Sequence, residues 1–344
     1  MKALVKVQKG PGFLKYIDFP EPYPGPGEVK IQVKACGICG TDLHIWHDEF
    51  HNVPPVVLGH EFSGIVTELG EGVKGITIGQ KVVSEVVFQT CGICRACKTG
   101  YYNLCLTRRG LGWSANGAFA PYTLVEAKNI HSMPENLSFE EAALSEPLAV
   151  SACAVSELTG VTAGDLVLVT GPGPIGLLTA QIALAEGGRV IITGATADTE
   201  RLCLAQELGV HAAVNIDKED AIGLARQWGD GLGADVVFEC SGAPAAVRMG
   251  LEAVRRGGKF MQVGLFSHPI EVNFDLVAMK ELKVFGVNSS NWRGWNRGLR
   301  LAGQGKVRLR PLISHTFPLS NWLTAFEIAE SKQGLKILLI PEGE

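Results

Sequence analysis

Through the first 150 residues apolar and polar positions alternate in short runs. Val29-Lys30-Ile31-Gln32-Val33-Lys34 puts every second side chain on one face, the period of a strand with one buried side, and Met1-Lys2-Ala3-Leu4-Val5-Lys6 reads as a first strand. Pro24-Gly25-Pro26-Gly27 and Asn52-Val53-Pro54-Pro55 punctuate these runs with turn-forming residues. Short strands separated by turns predict a mainly β unit.

The rhythm changes after about residue 162. Asp165-Leu166-Val167-Leu168-Val169-Thr170 is a buried-strand run, and 175–186 reads as a helix. The alternation continues with a strand at 189–193, a helix at 199–208, a strand at 212–216 and a helix near 218–228. A strand at 235–239, a helix at 244–254 and strands at 259–263 and 283–287 complete it. Six strands with intervening helices predict an α/β unit built on a doubly wound parallel sheet. The tail after about 290, with helices expected at 295–301 and 319–329, does not extend this alternation and is expected to fold back onto the first unit.

Composition narrows the function. At 344 residues the chain exceeds the size at which one core keeps growing, so two domains are expected. A net charge of -4 without a block of like charges argues against nucleic acid or an anionic membrane as partner and for a small-molecule substrate. The N-terminus lacks a signal-peptide core and no long apolar run is present, so a soluble, cytoplasmic protein is expected.

Nine cysteines are present, and Cys91, Cys94, Cys97 and Cys105 crowd into one glycine-bearing loop. Two-residue spacers let neighbouring thiolates fold round one ion, and four sulfurs close a tetrahedral zinc site with no place for substrate. That points to structural zinc in a reducing compartment. A second set, Cys39-Gly40-Thr41-Asp42 with His44 and then Gly59-His60-Glu61, holds the mixed S, N and O donors of a catalytic metal. A third motif, Gly171-Pro172-Gly173-Pro174-Ile175-Gly176, follows a predicted strand and opens a helix. Glycines there permit a tight turn and let the backbone approach a pyrophosphate at the helix N-terminus.

With these three motifs in this order, the sequence resembles the zinc-containing medium-chain alcohol dehydrogenase superfamily, and within it the branch of sorbitol (polyol) and threonine dehydrogenases, over essentially the whole chain. The resemblance implies a GroES-like, mainly β catalytic domain at 1–150, completed by 290–344, and a Rossmann dinucleotide-binding domain at 151–289. It implies that Cys39, His60, Glu61 and Glu146, the last in Ser145-Glu146-Pro147-Leu148, surround a catalytic zinc. Which carboxylate is the inner ligand stays open. Thr41 would accept the alcohol proton with His44 further along the relay, and Asp42 would orient the His60 imidazole. Cys36, Cys153, Cys203 and Cys240 are read as packing residues. A dimer or tetramer is expected, with 283–287 at a sheet edge that relatives use for dimer contacts.

The cofactor is NAD or NADP. The second strand of the cofactor domain ends Thr193-Gly194-Ala195-Thr196-Ala197-Asp198, without the acidic residue that usually meets the ribose 2′-hydroxyl. Gly194 leaves room for a 2′-phosphate that Arg201 would reach, whereas Asp198 would restore NAD binding. Val263 and Leu265, after the fifth strand, complete the candidate cofactor contacts. The expected reaction is reversible oxidation of a secondary alcohol, a polyol, to the ketone. L-Threonine 3-dehydrogenase or a butanediol-type dehydrogenase is the alternative, because Gly40-Thr41-Asp42-Leu43-His44-Ile45-Trp46 resembles the threonine branch while Glu146-Pro147-Leu148-Ala149-Val150 resembles the polyol branch. A non-catalytic nucleotide-binding protein is the remote alternative, and the ligand sets argue against a zinc-free reductase. Trp46, Trp292 and Arg293 are candidate pocket residues.

Overall fold

The computed structural model describes residues 1–266 and 268–342. The chain forms two units: Met1–Glu146 with Ser289–Trp295 and Leu309–Glu344, and Pro147–Asn288 with Asn296–Arg308. The α/β class read from the alternation of strands and helices is the one observed.

In the first unit, the long strand Glu28–Gly37 is the hub. It pairs antiparallel with Glu61–Leu69, with Tyr122–Glu126 and with the tail strand Lys336–Ile340, and the last pairs parallel with Ile313–Pro318. Val29, Ile31, Phe62, Val66, Phe119, Phe326, Ile337 and Leu339 meet in one apolar core, so the tail supplies part of that core. Alternation along 29–34 put Lys30 on the polar face, but its side chain is only 2% exposed. Its ammonium lies 2.5 Å from Glu21 and 2.6 Å from Glu68, with the rings of Tyr23 and Tyr122 beside it, so the charge is paired and the stem packs.

The four-cysteine segment projects between the paired strands Val87–Gln89 and Arg109–Gly110. Among residues 91–105 only Cys105 is buried. Tyr102 ties the segment to the unit: it donates to Glu85 at 2.7 Å, Glu85 meets His131 at 3.0 Å, and the His131 ring stacks on Trp295 with centroids 5.1 Å apart.

The second unit is a six-stranded sheet, wholly parallel, in the order Ala212–Asn215, Arg189–Gly194, Leu166–Thr170, Ala234–Glu239, Val254–Gln262, Lys283–Gly286. Leu166–Thr170 is buried along its whole length, as a central strand covered on both faces must be. The order reverses direction between Leu166–Thr170 and Ala234–Glu239, which puts the ligand crevice of such a sheet at the carboxyl ends of these two strands.

Two boundaries differ from the sequence reading. The first unit's opening segment ends at Glu146 rather than 150, and 296–308 groups with the second unit rather than the first. Side-chain anchors explain the latter: Arg297 makes a forked ion pair with Glu186, the Arg308 amide donates to Gln181 at 2.8 Å, and its guanidinium binds the Glu207 carbonyl. Among the described residues no helix is long and apolar enough to cross a membrane.

Candidate active site

Cys39 lies two residues past the end of the hub strand and occupies the N-cap of the helix Gly40–Trp46. His60 directly precedes the strand Glu61–Leu69, and Gly37 pairs with Glu61 across the two strands, so the register brings the two ligand segments to one end of the sheet. A Cβ at Gly37 would lie 2.4 Å from a Glu61 carboxylate oxygen, so a larger residue there would displace that carboxylate. As a result one donor atom each of Cys39, His60 and Glu61 lie within 4.8 Å of one another.

Asp42 holds this arrangement. It is fully buried at the third position of the helix and accepts the Cys39 amide at 2.9 Å, with the Gly59 amide at 3.4 Å. Its other contact, His60 Nδ1, is 3.7 Å away, beyond hydrogen-bond range, and that buried nitrogen has no hydrogen-bond partner among the described residues. Burial alone would lower the His60 pKa, but the Asp42 carboxylate, Cys39 and Glu146 reverse this and carry it up to about 10. Burial, reinforced by Glu61, lifts Glu146 to about 7. The cluster thus gathers more acidic groups than Lys336 and Arg108 can balance. A thiol, an imidazole with an orphaned nitrogen and a carboxylate in such a pocket fit a zinc ion with one open position.

The expected four-residue set is only partly assembled. Glu146 is buried and acts on His60 through its charge but lies outside the close donor group, whereas Glu61 lies inside it. Glu61 also meets a residue that sequence reading missed: Lys336, on the tail strand, contacts Oε2 at 2.5 Å and donates to the Ile38 carbonyl at 3.1 Å. Its only signal was a lysine opening an otherwise apolar strand. Both partners are buried, so Lys336→Met leaves a carboxylate without its cation. In zinc-stripped protein this is expected to cost about 3–5 kcal/mol of unfolding free energy, read from urea denaturation; a cost below about 1 kcal/mol would refute the buried pair.

Thr41 and His44 lie on the helix Gly40–Trp46, and His44 Nδ1 is 2.9 Å from Glu49 at a half-exposed position. Trp46 is a packing residue rather than a pocket one: its ring sits edge-on to Trp322 and Phe326 at 6.4 and 5.8 Å. Trp292 and Arg293 are exposed.

In the projecting segment, the sulfurs of Cys94 and Cys97 are 3.5 Å apart, those of Cys91 and Cys105 3.6 Å, and those of Cys91 and Cys97 3.9 Å. A tetrahedron with zinc–sulfur bonds of about 2.3 Å has edges of about 3.8 Å. The Cys91 amide pointing at Cys105 Sγ lowers that thiol's pKa to about 6, toward the thiolate that a metal requires. These residues fit a closed zinc site. Of the remaining cysteines, Cys36 and Cys153 are buried as expected and Cys240 lies 3.9 Å from the Thr179 hydroxyl, but Cys203 is exposed on its helix rather than packed in the core.

At the crevice edge of the second unit, Gly171 has φ +86°, and a Cβ there would lie 2.6 Å from Ser241 Cβ. At Gly176 it would lie 1.9 Å from the Gly171 carbonyl oxygen. Gly173 caps the helix Pro174–Ala185 with open space before it, Pro174 preorganises its first turn, and Ile175 follows. These features fit a dinucleotide pyrophosphate at the helix N-terminus. At Gly194 a Cβ would come within 2.9 Å of Pro172 Cγ. Asp198 accepts the Ala195 amide at 3.1 Å and pairs with Arg201 at 3.3 Å, so the arginine is held by a carboxylate. Val263 is half-buried beyond the fifth strand, and Leu265 is 69% exposed.

Comparison with known proteins agrees with this geometry. Residues 25–135 match the alcohol dehydrogenase GroES-like domain and residues 174–304 the zinc-binding dehydrogenase domain. The sorbitol dehydrogenase of Halalkalibacterium halodurans is 44% identical over 342 residues, 99% of each chain. The D-arabitol-phosphate dehydrogenase of Enterococcus avium is 38% identical, over 98% of this chain and 97% of the relative. Among solved structures, a protein of Sinorhizobium meliloti 1021 with NADP bound superposes with a TM-score of 0.90 at 33% identity over 99% of both chains. With its clustered thiol, imidazole and carboxylate and its glycine turn at the switch point of a parallel sheet, this chain is a dehydrogenase and belongs to the zinc-binding dehydrogenase family with an alcohol dehydrogenase GroES-like domain.

Proposed function

We propose that the protein oxidises a secondary alcohol of a polyol reversibly to the ketone, passing the hydride to NAD or NADP. The buried Cys39–His60–Glu61 cluster carries this reading, and its likeness across 99% of the chain to a sorbitol dehydrogenase supports the substrate class. Zinc held by Cys39, His60 and a carboxylate would act as a Lewis acid that lowers the pKa of the substrate hydroxyl, and the nicotinamide would accept the hydride. Glu61 and Glu146 are the two candidates for the carboxylate; Asp42 keeps the Cys39 segment in place through the Cys39 amide and places its charge 3.7 Å from His60 Nδ1. Cys91, Cys94, Cys97 and Cys105 hold the structural ion.

In this reading Thr41 takes the alcohol proton, His44 receives it one helical turn further on, and Glu49 keeps the imidazole oriented at the solvent edge. Thr41→Val is expected to lower kcat by about 100-fold or more, and His44→Gln by about tenfold, since solvent can substitute at the exposed end. Equal turnover in Thr41→Val would remove it from the relay. Gly171, Gly173, Pro174, Ile175 and Gly176 cradle the pyrophosphate; Gly194 and Arg201 border the adenosine ribose, and Val263 and Leu265 flank the nicotinamide side.

The test follows reduced nicotinamide by absorbance with sorbitol, xylitol, 2,3-butanediol and L-threonine, each with NAD and with NADP. Zinc-dependent turnover of a polyol is expected; robust turnover of threonine alone would replace the polyol reading with that of a threonine 3-dehydrogenase. Self-association through the exposed edge strand Lys283–Gly286 is part of the proposal, and light scattering at micromolar concentration should give a dimer or tetramer. Residence in the reducing cytoplasm goes with nine cysteines that form no disulfide.

A further inference from the structure

Glu239 is the last residue of the strand Ala234–Glu239 and is fully buried. It sits in register with Thr170 on one neighbouring strand and Gln262 on the other, at the switch point of the sheet. Its partners are all neutral donors. The Thr170 hydroxyl lies 3.3 Å away, the Ser241 amide 2.8 Å, the Ser241 hydroxyl 2.5 Å, the Gly242 amide 3.0 Å and the Gln262 side-chain amide 2.7 Å. An ionised carboxylate has about four acceptor sites and no hydrogen to set against donors, so these five, four of them on Oε1, share its lone pairs. Taking a carboxylate out of water is costly, and a row of ordinary apolar strand ends would hold the sheet as well. The donors are distributed in a telling way. They come from the end of the strand that leads into the Gly171 turn, from the turn after the carboxylate's own strand, and from the strand that runs into Val263 and Gly264.

Close packing shows how tightly these three segments are drawn together. A Cβ on Gly171 would strike Ser241, and one on Gly264 would come within 2.4 Å of the Gly242 amide nitrogen and 2.6 Å of Glu239 Oε2. Gly242 turns the chain at φ +66°. The backbone therefore closes on the carboxylate from both sides, and one buried anion sets the spacing of three loops at the crevice.

We propose that Glu239 is a positioning residue for the dinucleotide: by holding the Gly171, Ser241–Gly242 and Val263–Gly264 loops at fixed separation, it preorganises the edge on which the cofactor lies. The inference rests on the cofactor occupying this crevice. Preorganisation of this kind lowers the ordering cost of binding and leaves the chemical step untouched once cofactor is bound.

The test is Glu239→Gln, which keeps the shape but turns an amide hydrogen toward donors. Titration of NADH and NADPH by nicotinamide fluorescence is expected to give a Kd raised at least about tenfold, with the cofactor KM following it. At saturating cofactor, kcat is expected to stay within about threefold and the alcohol KM to be unchanged. Ser241→Ala and Gln262→Leu, which each remove one donor and leave the carboxylate in place, should each weaken cofactor binding by about threefold even if Glu239→Gln does not fold. Unchanged cofactor Kd in these variants would overturn the proposal, as would a rise of Kd and alcohol KM together with a fall of kcat and Tm, the mark of a purely structural role. Failure of the unaltered protein to bind either nucleotide would overturn the cofactor reading itself.

Discussion

Cys39→Ser is expected to lower turnover by at least about a thousandfold, equivalent to about 4 kcal/mol of lost transition-state stabilisation, while the protein stays folded. The thiol is one of three donors within 4.8 Å, and serine at neutral pH offers a protonated, harder oxygen that cannot replace a thiolate. The surrounding acids make the loss worse than a missing bond. Asp42, Glu61 and Glu146 are buried together, and a weakened cation leaves them to be balanced by protons on His60 and Glu146, which the environment already favours. Metal analysis should find one zinc per chain where the unaltered protein holds two, and thermal unfolding should shift by only a few degrees. A variant that keeps both zinc ions and full turnover would refute the assignment of Cys39 to the catalytic ion.

The second large effect concerns stability. Cys94→Ser is expected to lower Tm by about 10 °C and to open residues 91–105 to proteolysis, with cleavage appearing before global unfolding. This segment has no core of its own: Ile93 is 76% exposed and Leu106 fully so, and among 91–105 only Cys105 is buried. Four sulfurs about a tetrahedral edge apart are what it has instead. Once they are released, what remains includes the hydrogen bonds of Tyr102 to Glu85 and of Arg108 to the Asn103 carbonyl, and hydrogen bonds of about 1 kcal/mol each are too weak to order a segment of this length. Strong chelation should reproduce the effect in the unaltered protein. Unchanged protease resistance in Cys94→Ser would show that the segment is held by packing instead.

The two metal sites differ in how much of them could be read beforehand. The structural set lies within one loop, and its two-residue spacers already bring three sulfurs together, so the inference from spacing to a closed site needed no knowledge of the rest of the chain. The glycine turn is equally local, a strand, a tight turn and a helix start in consecutive residues. The candidate catalytic set is different. Cys39 and His60 lie in separate segments, and their meeting depends on Gly37 pairing with Glu61 between neighbouring strands. The mixed sulfur, nitrogen and oxygen donors of Cys39, His60 and Glu61 already suggested a metal set, but spacing could not show that the segments meet, and only the family resemblance added Glu146.

By itself, then, the order of residues determined the two rhythms of the chain, the α/β class, the closed cysteine site and the glycine turn, because each depends on periodicity or spacing over a few residues, where backbone geometry leaves few choices. Tertiary structure alone decided the rest. It put Lys30 inside between two glutamates, against the alternation that placed it outside, because a paired ammonium can be buried with its stem. It grouped 296–308 with the second unit through Arg297 and Arg308. It joined Lys336 to Glu61 across 275 residues of chain and aimed five donors from three strand ends at Glu239. Contacts of that kind are set by strand register and burial, and neither quantity is defined until distant segments have packed together.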